Sequence, residues 1–205
     1  MNQPVPQKKK VAPKYTIFAG VNGVGKTSLY SILCKSENFG ERINIDEMVA
    51  MHGDWRDKML QLTEGRNALK KISQLINYGV TFHEETTIPG ATVLRLIKKA
   101  KAKGYKIQLY YVGVENLDTA IKRVRNRVEK GGHGVDEKLI KQRFEKKSEA
   151  LHKLLPLVDS AFFYDNTVKF IQIAHLKNNI LVDYDYDLPV WFWELVAEND
   201  LKTEM

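Results

Sequence analysis

"KYTIFAGVNGVGKTSLYSIL", residues 14–33, decides the fold. A short β-rich run, Tyr15 to Gly20, leads into G-x-x-x-x-G-K-T from Gly20 to Thr27. Leu29, Ile32 and Leu33 then recur at helical spacing. Strand, glycine loop and helix in that order let backbone N–H groups turn inward around phosphates, with the helix dipole behind them. Gly20, Val21, Asn22, Gly23, Val24, Gly25, Lys26, Thr27 and Ser28 are therefore expected to hold a nucleoside triphosphate. Lys26 should reach its β- and γ-phosphates, and the Thr27 hydroxyl should ligate Mg²⁺. The loop predicts binding, but not whether the γ-phosphate goes to water or to an acceptor.

Outward from this loop, strands alternate with helices. "RINI" (42–45) reads as a strand ending at Asp46, residues 54–78 as a helix stopped at Gly79, and "VTFHE" (80–84) as a strand before the turn "TTIPG". "ATVLRLIKKAKAK" is a helix, "YKIQLYYVGV" a long apolar strand, and "LDTAIKRVRNRVEK" a helix with Leu117, Ile121, Val124 and Val128 on one stripe. "GGHGVD" breaks that helix, and residues 136–155 form the next. "SAFFYDN" is a strand, "FIQIAHLKNNILVDYD" a hairpin about Asn178–Asn179, and Pro189 opens a last helix. The pattern predicts an α/β domain over residues 14–205 with a parallel sheet covered on both faces and a helical lid at about 117–150. Residues 1–13, with three prolines and Lys8–Lys10, read as a disordered tail.

Composition narrows the class. The 205 residues are 43% hydrophobic and 28% charged, with no apolar run long enough to cross a bilayer and no secretory signal. A lone cysteine, Cys34, precludes an internal disulfide and fits a reducing cytoplasm. The net charge of +7 is spread along helices without an aromatic-interleaved stripe, which disfavours nucleic acid as partner. His83–Glu84 does not extend to H-e-x-x-H, because position 87 is Thr, so a protein-held zinc site is disfavoured too.

Absences narrow the branch. No D-x-x-G or N-K-x-D occurs, which removes a GTPase. Asp46, at a strand end facing the ligand crevice, is placed to accept a proton from an acceptor hydroxyl, or else to cap a helix. Glu84 and Glu85 must point to opposite faces of their strand, so at most one enters the site. Arg127, a glycine hinge and Arg143 on the next helix form the parts of a lid that closes over phosphate.

These stretches together, "IFAGVNGVGKTS", "INIDEM", "FHEETTIPG", "AIKRVRNRVEKGGHGV" and "YDNT", resemble the zeta-toxin family of P-loop kinases from Tyr15 to about Asn166. The resemblance implies a five-stranded parallel sheet, ATP–Mg²⁺ as phosphoryl donor, and a sugar hydroxyl of UDP-N-acetylglucosamine as the acceptor known for the toxins. It implies Asp46 as catalytic base, Glu85 and Thr87 as the substrate-side E-x-T, Arg127 as the first lid arginine and Asn166 as a contact near the adenine. Where the toxins place a second lid arginine this chain has His133, and Arg143 is the expected replacement. No residue pattern specifies an antitoxin partner. Two other readings stand beside the small-molecule kinase: a nucleotide-dependent binding or regulatory protein, and a polynucleotide 5′-hydroxyl kinase.

Overall fold

The computed structural model describes residues 11–87, 90–185, 187–198 and 201–203. The chain runs β1 (Lys14–Ala19), α1 (Lys26–Leu33), β2 (Glu41–Asn44), α2 (Ile45–His52), α3 (Lys58–Tyr78), β3 (Phe82–Thr86), α4 (Ala91–Ala102) and β4 (Lys106–Gly113). It continues through α5 (Leu117–Glu129), α6 (Glu137–Glu145), α7 (Lys147–Leu154), a 3₁₀ turn (Leu155–Leu157) and β5 (Ser160–Asp165). β6 (Ile171–Lys177), β7 (Ile180–Tyr184), α8 (Val190–Glu198) and β8 (Lys202–Thr203) complete it. One sheet results, ordered β2-β3-β1-β4-β5-β6-β7-β8.

The first five strands of that order are parallel, as alternating strands and helices require. The expected five-stranded sheet is extended by three more strands. β6 and β7 add as the antiparallel hairpin read from the sequence, with Asn178 (φ 50°) and Asn179 (φ 65°) in the left-handed conformations of a type I′ turn. β8 was not expected, because two residues carry no periodicity. The tail reading falls mostly on residues 1–10, outside the described residues, as do Ile88 and Pro89 of the predicted turn. Among the described residues no helix is long and apolar enough to cross a membrane.

Two cores lie on opposite faces, giving three layers. One joins Tyr15, Ile17, Leu109, Ala161 and Phe163 to α3, α4, α7 and α8. The other joins Phe18, Tyr110 and Val112 to Leu29 of α1, Ala120 and Val124 of α5 and Ile140 of α6. This second face carries the glycine loop and the lid. Four boundaries differ most from the sequence reading, the first being that the helix expected from residue 54 begins at Lys58. Ile45 starts a helix instead of ending a strand, β3 lies two residues later than expected, and the helix expected over 136–155 breaks at Lys146 into α6 and α7.

Register beside Ile17 puts Glu84 on the first face, where it is buried and accepts from the Tyr15 hydroxyl. Burial pushes its carboxyl up to about 7, against a smaller opposing effect of the Tyr15 hydrogen bond. A raised pKa means stability fully present below about pH 4.5 and lost as pH rises through about 7, a swing of about 3 kcal/mol. Glu84→Gln, neutral at every pH, should therefore gain on the parent as pH rises from 5 to 8, by roughly 5–10 °C in melting temperature. Calorimetry across that range checks it; parallel curves for parent and variant would show that Glu84 does not titrate differently on folding.

Candidate active site

The loop between β1 and α1 is built around close approach. Gly20 has φ 144°, and a Cβ there would lie 2.4 Å from the Val112 carbonyl oxygen. Gly25, at φ 101°, caps α1, and its Cβ would come within 2.7 Å of Asn166 Nδ2. Neither position admits a side chain, so the backbone turns tightly enough to present its N–H groups. Lys26 Nζ donates to the loop's own Gly20 (2.9 Å) and Val21 (3.1 Å) carbonyls. Burial lowers its pKa to about 8, with Arg143 and Arg127 adding to the fall while Asp46 and Glu85 oppose it.

The Thr27 hydroxyl donates to Glu85 Oε2 at 2.6 Å. Register explains the pair: Glu85 lies beside Phe18 on β3, on the loop face, while Glu84 points away. Arg42 of β2 holds the other oxygen of Glu85 at 2.6 Å, also reaches Glu47 at 2.7 Å, and lies over the Tyr30 ring. Glu85, assigned from sequence to the substrate, is thus directed at the loop hydroxyl. Thr87, two residues on, lies half-buried just past the end of β3. Arg42 was not singled out from sequence; an arginine inside a short strand followed by a carboxylate was the available signal.

Asp46 occupies the first turn of α2. Asn44 is the cap, its side chain accepting from the N–H groups of Asp46 (3.1 Å) and Glu47 (3.4 Å). The helix-cap role is therefore taken, and the Asp46 carboxylate is released from it. His133 Nε2 donates to Asp46 Oδ2 at 3.0 Å, which fixes a proton on that nitrogen. Burial alone would raise the Asp46 pKa, but the His133 hydrogen bond and charge, with Lys26 and Arg127, bring it below the usual value.

The α5–α6 segment packs beside this carboxylate. Arg143 Nη1 of α6 donates to Asn22 Oδ1 of the loop at 2.6 Å. Arg127, near the end of α5, has Nε and Nη2 buried without a hydrogen-bond partner. Burial lowers the pKa of both arginines while Asp46 opposes the fall. Neither arginine nor Lys26 forms a direct ion pair among the described residues. Trp55, between α2 and α3, packs on Gly134 of the lid loop, where a Cβ would meet its ring at 2.7 Å. A shallow cavity of about 370 Å³ runs along α5, lined by Arg123, Asn126, Arg127, Lys130 and Gly132. Asn166, after β5, donates from Nδ2 to the Val24 carbonyl at 2.8 Å and so ties its turn to the loop. The structure thus brings Lys26, Thr27, Asp46, Glu85, Arg127, His133, Arg143 and Asn166 to one end of the parallel strands, where α/β sheets bind ligands. Ser28 lies exposed in the first turn of α1.

A family model described as Zeta toxin matches residues 2–185. The chain belongs to the zeta toxin family. An uncharacterized protein of Haemophilus influenzae is 26% identical over 131 residues, which make up 64% of this chain and 92% of that protein. The zeta toxin fold recurs in the structure from the PezAT chromosomal toxin–antitoxin system of Streptococcus pneumoniae, with TM-score 0.61, 16% identity, and 94% of this chain matched to 86% of that one. AvrRxo1-ORF1:-ORF2 with ATP gives TM-score 0.61 at 13% identity, over 93% of this chain and 65% of that one. The Pnkp1/Rnl/Hen1 RNA repair complex gives 0.56 at 14% identity, over 72% and 48%. Family membership and the shared fold support a nucleotide-dependent P-loop kinase.

Proposed function

We propose that this chain is an ATP-dependent kinase that transfers the γ-phosphoryl group to a hydroxyl of a small molecule, with a nucleotide sugar such as UDP-N-acetylglucosamine as the acceptor class favoured by the family. One observation carries the reading. Three buried or half-buried cations, Lys26, Arg127 and Arg143, act electrostatically on the Asp46 carboxylate, with Glu85 also acting on Lys26, and among the described residues none of the three pairs directly with a carboxylate. Cations held this way suit a ligand with several negative charges, and a transferring phosphoryl group is such a ligand.

In this reading Lys26 lies on the β- and γ-phosphates, Arg127 and Arg143 meet the charge on the moving group, and Asn166 flanks the base. The Thr27 hydroxyl and Glu85 carboxylate, 2.6 Å apart, match the donor set that holds Mg²⁺ in kinases, with the phosphates supplying further oxygens. Bound there, the metal would neutralise charge on the β- and γ-oxygens. Asp46 Oδ1 faces the acceptor while His133 holds Oδ2. The acceptor oxygen forms its bond to phosphorus as the bond to the β-phosphate oxygen breaks, and the hydroxyl proton passes to Asp46. A carboxylate of lowered pKa is a weak proton acceptor, so Asp46 serves mainly to aim the hydroxyl, as a loose transition state requires. The protein's place in the cell, in this reading, is the cytoplasm, where ATP and nucleotide sugars are at hand.

ADP release with and without acceptor tests the reading. Release stimulated by a nucleotide sugar supports it; ATP binding with no release under any acceptor points to a nucleotide-dependent binding protein. Release driven only by oligonucleotides, with a steep salt dependence, points to a polynucleotide kinase.

A further inference from the structure

We propose that Trp191, at the start of α8, is a positioning residue for nucleotide binding: its indole holds Asp165, and Asp165 shapes the 165–167 turn that is tied to the phosphate loop. This rests on the nucleotide site proposed above. It also gives the C-terminal extension, which lies outside the five-stranded kinase sheet, a task at that site.

The connections run unbroken. Trp191 is 3% exposed, and its Nε1–H donates to Asp165 Oδ1 at 2.9 Å. Asp165 also accepts from the Thr167 hydroxyl (2.8 Å, on Oδ1) and the Thr167 N–H (3.0 Å, on Oδ2). The Thr167 hydroxyl in turn accepts from the Glu115 N–H at 2.9 Å. Arg123 of α5 donates to the Asn166 and Thr167 carbonyls at 2.8 and 3.1 Å, and the Asn166 N–H donates to the Gly113 carbonyl at 2.9 Å. From this turn the Asn166 amide reaches Val24 and covers Gly25. The indole ring also presses on Gly113, where a Cβ would fall 2.4 Å from Cζ2. Trp191 therefore touches the ends of both β4 and β5, the two strands that carry the turn.

A half-buried carboxylate keeps its geometry only while its donors are in place, and losing one leaves an acceptor short of partners. Without the indole N–H, Asp165 can rotate toward water and take Thr167 with it. The Asn166 amide then loses its fixed approach to Val24. Asp46, Arg127 and Arg143 lie outside this chain of bonds, so the effect should fall on nucleotide affinity and not on the transfer step.

Trp191→Phe keeps an aromatic ring against Tyr111 and Phe192 and removes only the N–H. Its Kd and KM for ATP should rise about tenfold, equal to about 1.4 kcal/mol. kcat at saturating ATP and KM for the acceptor should stay at parental values. Asp165→Asn should weaken ATP in the same direction, and the double variant should be no weaker than the worse single one, since both cut one chain of bonds. If Trp191→Phe does not fold, Thr167→Val, away from the α8 core, carries the same expectation. A tryptophan that only fills the core predicts the opposite split: a lower melting temperature and lower kcat with unchanged KM for ATP. That outcome, or parental ATP affinity in folded variants, overturns the proposal and leaves the kinase reading standing. A parent protein that binds no ATP by calorimetry removes the kinase reading itself, and this proposal with it.

Discussion

Arg127→Ala is expected to lower kcat by roughly 10³–10⁵, the range for the principal arginine on a transferring phosphoryl group. The reason is the side chain's situation in the fold. Its Nε and Nη2 are buried and unpartnered, which costs free energy unless a ligand supplies the acceptors. In the resting protein only the nearby charge of Asp46 offsets that cost, so removing the side chain should leave the melting temperature close to the parent's. Arg127→Lys should restore only part of the rate, since a point charge replaces a planar fork. Arg143→Ala should cost less, because part of its hydrogen bonding is already spent on Asn22. Steady-state kinetics and melting curves on the same preparations check both. Parental turnover in Arg127→Ala would reduce it to a half-buried surface arginine.

Asp46→Asn should separate transfer from nucleotide binding. With its oxygen on His133, an asparagine offers the acceptor only an amide nitrogen, which neither aims the hydroxyl nor takes its proton. Transfer should fall by roughly 10²–10⁴, and ATP affinity should barely change because the loop and the α5–α6 segment make the nucleotide's contacts. Stability should hold as well. The competing explanation, a helix cap, already belongs to Asn44, and an asparagine at 46 can still accept from His133 through its side-chain oxygen. Normal acceptor phosphorylation by this variant would remove Asp46 from the mechanism.

How far the sequence reached depends on the range of the interactions involved. The parallel strands were legible because each is a run of apolar residues beside a helix of clear period, and the Asn178–Asn179 hairpin because two polar residues with left-handed tendency separate two such runs. α2 was hidden, since Ile45 and Asp46 continue a strand pattern until Asn44 is seen to cap the next turn. β8 is too short to leave a signal. At the candidate site, local chemistry singled out the loop, Asp46, Arg127 and Arg143, which the fold brings to one end of the sheet. Pairings across long chain separations were not legible: Thr27 with Glu85 is set by strand register, and Arg143 with Asn22 by the packing of α6 against the loop, 121 residues apart. For the same reason Glu85, matched by motif to the substrate, turned out to face the loop hydroxyl. The contact of Trp191 with Asp165 left no trace in the sequence either, because an aromatic helix reads as core until its indole is seen on that carboxylate.

The most direct measurement of the central claim is transfer itself. The parent protein, with Mg²⁺ and γ-labelled ATP, is incubated with a panel of nucleotide sugars, other small alcohols and 5′-hydroxyl oligonucleotides, and the products are read by mass spectrometry. The account predicts label on a small-molecule hydroxyl as a gain of one phosphoryl group, ADP in equal amount, and neither in Lys26→Ala. Label appearing only as inorganic phosphate, at a rate no acceptor changes, would contradict it.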